Sequence, residues 1–301
     1  MKYYLILFIK GMGFGIANLI PGVSGGTVAL ITKIYEELIY SLKSFDIKAL
    51  KLLISFDFRG LIKHINLYFL LVVFTGAIVS VFCTANLFKF LFTNYPILIW
   101  SFFFGLIGAS IYSVGKRVEK WSSPNIITLI IGCIMATSLL FISPATPNSN
   151  LFFIFICGII SVSGMLLPGL SGSFLLILMG NYELLMVTAL VELNYLLLAV
   201  FLIGSVVGLL SFSHILSWFF KHYKDKTLAL LTGFILGSLS LIWPWKEILE
   251  SIVINGEKKI LKHHLYVPNI IEENTLIAFA FILAGIVTVL VLESFSHKKT
   301  V

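Results

Sequence analysis

An apolar chain that interrupts its own helices twice, with nearly the same residues, has few folds open to it. Residues 18 to 38 read NLIPGVSGGTVALITKIYEEL, and residues 165 to 185 read MLLPGLSGSFLLILMGNYELL. Pro21, Gly22, Ser24, Gly25, Tyr35 and Glu36 align without a gap on Pro168, Gly169, Ser171, Gly172, Tyr182 and Glu183, at an offset of 147. Proline lacks a backbone donor and disfavours helix at the residue before it, while glycine permits the tight turn that follows. Helix is therefore expected to stop at Ile20 and at Leu167.

The surroundings decide where such breaks can lie. With 59% hydrophobic residues, 12% charged residues and a mean hydropathy of +1.04, the chain is far more apolar than a soluble domain, of which about a quarter is charged. An all-α polytopic membrane protein is expected. Apolar runs at 66–92, 97–114, 125–142, 195–220, 227–243 and 275–293 are near or above the roughly 17 to 25 residues that cross about 30 Å of hydrocarbon. The N-terminus starts like a signal peptide, with Lys2 before an apolar run. It leads into the first break without a small-residue cleavage pattern, so it is read as mature protein. Cys83, Cys133 and Cys157 lie in apolar runs without CxxC spacing or a His cluster, and are read as small buried hydrophobes. No metal and no cofactor is expected. The net charge of +7 comes without a long basic tract, which argues against nucleic acid and for topology and contact with anionic lipids.

The repeat continues past the motif. FTGAIVSVFCTANLFKFLFTNY at 74–95 matches LIGSVVGLLSFSHILSWFFKHY at 202–223, now at an offset of 128. The difference is a segment near 41–63 that the second half lacks; its apolar residues alternate with Lys43, Lys48, Lys51 and Arg59, which predicts an amphipathic helix on the membrane surface. The first repeat is expected over 1–142, with a hairpin at 5–38, the cytoplasmic amphipathic segment at 41–63 and three spans. The second is expected over 151–293, with a hairpin at 151–186, spans at 195–220 and 227–243, an extracytoplasmic loop at 244–273 and a last span. If each hairpin enters and leaves on one side, sixteen of the twenty-one Lys and Arg fall on a common side and only Lys89, Lys246, Lys258, Lys259 and Lys262 on the other. Both termini are then predicted cytoplasmic. Three spans between the hairpins turn the second half upside down, giving two inverted repeats, each a re-entrant helical hairpin plus three transmembrane helices, as in many secondary transporters.

Broken backbone at membrane depth must be packed in protein or line a wet cavity, because lipid satisfies none of its polar groups. Each break restarts a helix at a serine, and the first-turn N–H groups of a helix lack partners within it. Such a start draws an anion through those donors and the helix dipole. Ser24, Thr27, Ser171 and Ser173 can add hydroxyl donors. Two starts converging from opposite faces form a site for a phosphate or carboxylate that is bound and then released.

At these residues the chain resembles the bacterial polyprenyl-phosphate transporter family of the PopT type, formerly a membrane family of unknown function. The resemblance rests on NLIPGVSGGTVALITKIYEEL and on LPGLSGSFLLILMGNYE, and it runs over nearly the whole chain. It implies undecaprenyl phosphate as the transported lipid, returned from the outer to the inner leaflet of the bacterial cytoplasmic membrane for wall and surface-polymer synthesis. Motif match carries over Asn18, Pro21, Gly22, Ser24, Gly25, Gly26, Thr27 and Glu36 in the first hairpin. The second hairpin contributes Pro168, Gly169, Ser171, Gly172 and Ser173, with Ser173 and Phe174 in place of the Gly-Thr pair. Glu36 and Glu183 hold equivalent positions, expected at the far end of each half-helix, and are candidates for proton coupling.

Other functions remain open at this stage. The same architecture suits a transporter or channel for a small organic anion. GLSG at 169–172 has the form of an intramembrane serine protease, with His214 in a later span, yet GVSG at 22–25 repeats it where no such His is available. A lipid phosphatase would need clustered Lys, Arg and His, whereas His263 and His264 lie in a mixed-charge loop. The reading is a transporter, not an enzyme, with the oligomeric state left open.

Overall fold

The computed structural model describes residues 2–19, 23–142, 144–189, 192–254, 257–268 and 273–297. Its helices in the first half are α1 (Lys2–Leu19), α2 (Gly25–Ile31), α3 (Tyr35–Lys43), α4 (Ile47–Ile54), α5 (Phe58–His64), α6 (Leu67–Asn94), α7 (Pro96–Gly115) and α8 (Ser123–Ser138). Those in the second are α9 (Leu151–Leu166), α10 (Gly172–Leu178), α11 (Tyr195–His222), α12 (Lys224–Ser238) and α13 (Glu273–His297). Among the described residues, Leu67–Thr84, Pro96–Gly115, Ser123–Phe141 and Tyr195–His222 are long and apolar enough to cross a membrane, and three shorter apolar helices accompany them. The chain is a multi-pass membrane protein.

The helices pair in matching ways in the two halves. The main partner of α1 is α6 and that of α9 is α11, while α7 packs on α13 and α12 on α8. Helices α6 and α11 both have 28 residues, and each ends at a tyrosine of like conformation, φ −134° and ψ 49° at Tyr95, φ −140° and ψ 48° at Tyr223. Glycines set the crossings, since small residues let helix backbones approach closely. A Cβ at Gly11 would run into the Val73 carbonyl, and one at Gly158 into that of Phe201. Between the halves, Gly105 abuts Ile282 where Gly233 abuts Leu129, and Gly285 abuts Phe102 where Gly132 abuts Leu230. Each half thus lends its last helix to the middle span of the other. One apolar core joins both halves through residues such as Leu30, Leu38, Val73, Ile107, Leu166 and Leu231.

Four local outcomes differ from the sequence reading. The amphipathic segment is two short helices, α4 and α5, because Asp57 caps a second start by accepting from the Gly60 N–H at 2.9 Å, after Phe56 turns at φ 56°. Its apolar side chains Ile47, Ile54 and Phe56 are exposed. The run at 227–243 is helical only to Ser238. Part of the expected loop at 244–273 is an antiparallel pair of strands, β1 (Lys246–Ile254) and β2 (Glu257–Leu265). Its β-branched Ile248, Ile252, Val253 and Ile254 favour strand, and the Asn-Gly dipeptide at 255–256 is a hairpin signal that the sequence reading passed over. Cys83, expected to be buried, is exposed, while Cys157 is buried.

Candidate functional site

The two interrupted stretches meet. Pro21 and Gly22 lie outside the described residues, so the first break is seen from Val23 onward. In the second, Leu167 leaves α9 in an extended conformation, φ −78° and ψ 122°, as the proline after it requires, and Gly169 turns the chain at φ 84°. Both stretches then restart alike. Ser24 (φ −112°, ψ 132°) and Ser171 (φ −109°, ψ 128°) precede helices of seven residues, α2 and α10. Beyond these, Lys33 and Gly180 adopt left-handed conformations at equivalent positions, φ 58° and φ 75°. Neither half-helix therefore continues to its glutamate. Glu36 lies in the first turn of α3, and Glu183 precedes a short π-helical turn, Leu184–Thr188, which corrects their expected place at the ends of the half-helices.

Side chains from the first hairpin hold the backbone of the second. The Ser24 hydroxyl donates to the Leu167 carbonyl at 2.9 Å, and the Gly169 N–H donates to Thr27 Oγ1 at 3.0 Å. The Tyr35 hydroxyl donates to the Leu166 carbonyl at 2.8 Å. Gly26 has no room for a side chain there, since a Cβ would lie 2.9 Å from the Leu166 carbonyl oxygen and 3.3 Å from the Pro168 nitrogen. Ser24 and Thr27 are fully buried. The structure thus brings Asn18, Ser24, Gly25, Gly26 and Thr27 together with Pro168 and Gly169.

The two helix starts are not equal as anion donors. At α2, the Gly25 N–H donates to Asn18 Oδ1 at 3.1 Å and the Gly26 N–H to Ser24 Oγ at 3.1 Å. The Thr27 N–H turns to the Ser24 carbonyl at 3.0 Å. That corrects the expectation of a free first turn at α2: Asn18 and Ser24 cap it from within the protein. At α10, Ser171 makes no side-chain cap; its hydroxyl pairs with that of Ser173 at 2.8 Å, and Ser161 donates to the Gly172 carbonyl at 3.2 Å. The local cause is in the residues: Asn18, which caps Gly25, has Met165 at its equivalent position, and the Ser171 hydroxyl is turned to Ser173, which stands where the first hairpin has Gly26.

Charges gather beyond the C-terminal end of α2, where a helix dipole favours cations. Lys10 donates to the Thr32 carbonyl at 2.6 Å and Arg117 to the Ile31 carbonyl at 3.4 Å. Burial pulls the Arg117 guanidinium below its ordinary value, while the carboxylates of Glu293 and Glu36 hold it up. Lys116 forms an ion pair with buried Glu293. The sequence reading took Lys116 and Arg117 as topology markers and did not single out Glu293. His214 turns Nδ1 to the Leu210 carbonyl of its own helix at 2.8 Å, and among the described residues no serine is paired with it.

The chain matches a family model described as VCA0040-like, undecaprenyl phosphate translocase-like, over residues 14–260. It is 39% identical to a polyprenyl-phosphate transporter of Vibrio cholerae serotype O1, over 98% of each chain. It is also 30% identical to a polyprenyl-phosphate transporter of Staphylococcus aureus, over 81% of this chain and 87% of the other. No solved structure matches it.

Proposed function

Because the chain belongs to the undecaprenyl phosphate translocase-like family, we propose that it carries polyprenyl phosphate, undecaprenyl phosphate in particular, from the outer to the inner leaflet of a bacterial cytoplasmic membrane. The observation that carries this reading is the locked pair of broken helices, held together by Ser24, Thr27 and Tyr35. Broken backbone buried among helices is where membrane transporters seat polar cargo. Matching helix pairs and glycine crossings support two inverted repeats, and the Lys and Arg asymmetry supports cytoplasmic termini.

The two hairpins divide the work. Asn18, Ser24, Gly25, Gly26 and Thr27 form the rigid wall. Ser171, Gly172 and Ser173, following Pro168 and Gly169, offer hydroxyl and amide donors to the phosphate. The isoprenoid chain stays in lipid or between helices. Glu36 and Glu183 are the proton-coupling candidates, Glu36 facing Arg117 across the end of α2. Replacing Ser171 and Ser173 together by alanine is expected to lower transport at least tenfold in purified proteoliposomes, with the melting temperature retained. Unchanged transport in that variant would remove the phosphate from this site.

A further inference from the structure

Helices α8, α11 and α12 leave between them an open apolar groove of about 470 Å³, in the range of pockets that hold lipid-sized or drug-sized ligands. One end is Leu167, the residue at which α9 breaks; the other carries Tyr223, Lys226 and Thr227 at the α11–α12 turn. Phe212, Leu216, Phe219, Leu230 and Leu231 line the length between. Ile215, Phe219 and Tyr223 are exposed along it, so it opens sideways. The few hydroxyls on its wall are engaged by their own helices: Thr227 donates to the Tyr223 carbonyl and Thr128 to that of Asn125. The ammonium of Lys226 stands 5.2 Å above the Tyr223 ring. Asp225 beside it accepts from the Glu119 and Lys120 backbone, which puts this mouth at the end of the molecule rich in Lys and Arg.

At the corresponding place in the first half, aromatic rings pack on one another. At an offset of 128, Leu216, Leu230 and Leu231 correspond to Phe88, Phe102 and Phe103, while Phe212, Phe219 and Phe234 correspond to Thr84, Leu91 and Leu106. There Phe88 packs on Phe92 and Phe103, with ring centres 6.3 and 6.1 Å apart, and Phe92 on Trp100 at 5.3 Å. Lys226 corresponds to Leu98, so the first half lacks the cation as well. Leucines at the places of Phe88, Phe102 and Phe103, with a lysine at the rim, occur on one side only.

We propose that this groove is the berth of a polyprenyl monophosphate in the leaflet at the basic end, its phosphate paired with Lys226 and the first part of its isoprenoid chain lying along α11 and α12 toward Leu167. The occupant is anionic at one end and purely hydrocarbon beyond, as the groove is cationic at one end and almost wholly apolar beyond. The berth opens onto the second break, so it is where the lipid leaves or joins the transport path. Its one-sidedness makes the two leaflets inequivalent by sequence, whichever conformation the hairpins adopt. This inference rests on the carrier reading for its ligand and is tested separately from it.

The test uses the full chain in nanodiscs with a polyprenyl monophosphate that carries a photoreactive diazirine in its isoprenoid chain, and maps the labelled peptides by mass spectrometry. Label is expected on α11 and α12 between Phe212 and Phe234, displaced by unlabelled polyprenyl monophosphate and not by equal phosphatidylglycerol. Lys226→Gln is expected to raise the displacing concentration about 2- to 5-fold, the range of a solvent-exposed ion pair. Leu216→Phe with Leu231→Phe copies the first half and is expected to remove the label. Lys226→Gln, at an exposed position, decides the matter should the double variant fail to fold. Label spread over all lipid-facing helices, or displaced equally by phosphatidylglycerol, would show ordinary lipid and overturn the berth. Leaflet transport without groove labelling would overturn the berth and leave the carrier reading intact. Groove labelling without transport would support the berth and count against the carrier reading.

Discussion

Replacing Thr27 by valine isolates the bond that joins the two hairpins. The side chain is fully buried, and its only loss in the exchange is the hydroxyl that accepts from the Gly169 N–H at 3.0 Å. A buried donor left without an acceptor costs about 1 to 3 kcal/mol. Because Gly169 sits in the second break rather than in a helix, that cost falls on local opening of residues 166–171. At 1.4 kcal/mol per factor of ten, opening should become about 5- to 150-fold more frequent. Thr27→Ser keeps the acceptor and gives up one buried methyl, about 0.8 kcal/mol, so it should open only about 4-fold more often. Hydrogen exchange of backbone amides in purified protein reads this directly, since protection reports local opening free energy. Protection of 166–171 in Thr27→Val equal to wild type, or a larger loss in Thr27→Ser than in Thr27→Val, would refute the role given to this bond.

Asn18→Ala removes the acceptor for Gly25 at the start of α2, and a lost N-cap bond costs about 1 kcal/mol; faster exchange of the α2 amides, without change in α10, checks it. Lys116→Met is expected to destabilise more than Glu293→Gln in chemical denaturation, because Glu293 is buried whereas the Lys116 side chain is 37% exposed and can return to water. Lys246, set over the Trp100 ring at 4.1 Å, has its ammonium pushed down by burial to about 8. The unfolded chain binds more protons than the folded one between that value and the ordinary 10.5, so this group makes stability rise with pH across that window. Melting temperatures of wild type and Lys246→Met, compared at both ends of it, should differ in that slope; parallel slopes would exclude the effect.

The positions at which the chain breaks were legible because proline and glycine act locally, and Leu167 and Gly169 need no distant partner to be understood. Four of the six expected spans were legible because hydropathy is a sum over many residues. The use made of the donors was not. Asn18 caps Gly25 only after the chain has doubled back, and Ser24 reaches the Leu167 carbonyl from 143 residues away, so both hydroxyl and amide looked available to a ligand when read in sequence. The contrasts of Asn18 with Met165 and of Gly26 with Ser173 stand in the residues. Their consequence, one start capped by side chains and one not, needs each half-helix to return onto the helix before it. Lys116 and Glu293 come from opposite halves of the chain, and their pairing follows from the exchange of last helices between the halves, as does the closeness of Glu293 to Arg117. The groove was invisible for a further reason: a void is made by the residues that do not fill it, and Leu216 and Leu231 gain meaning only beside Phe88 and Phe103.

Transfer of polyprenyl phosphate between leaflets is the function assigned to this chain. Its most direct measurement is the fraction of undecaprenyl phosphate accessible to an impermeant probe on each face of sealed proteoliposomes, with the protein and without it, after the lipid is placed in one leaflet. Protein-dependent transfer is expected, lowered at least tenfold when Ser171 and Ser173 are both alanine. Equal accessibility with and without a folded, oriented protein, under imposed proton gradients of either sign, would contradict it.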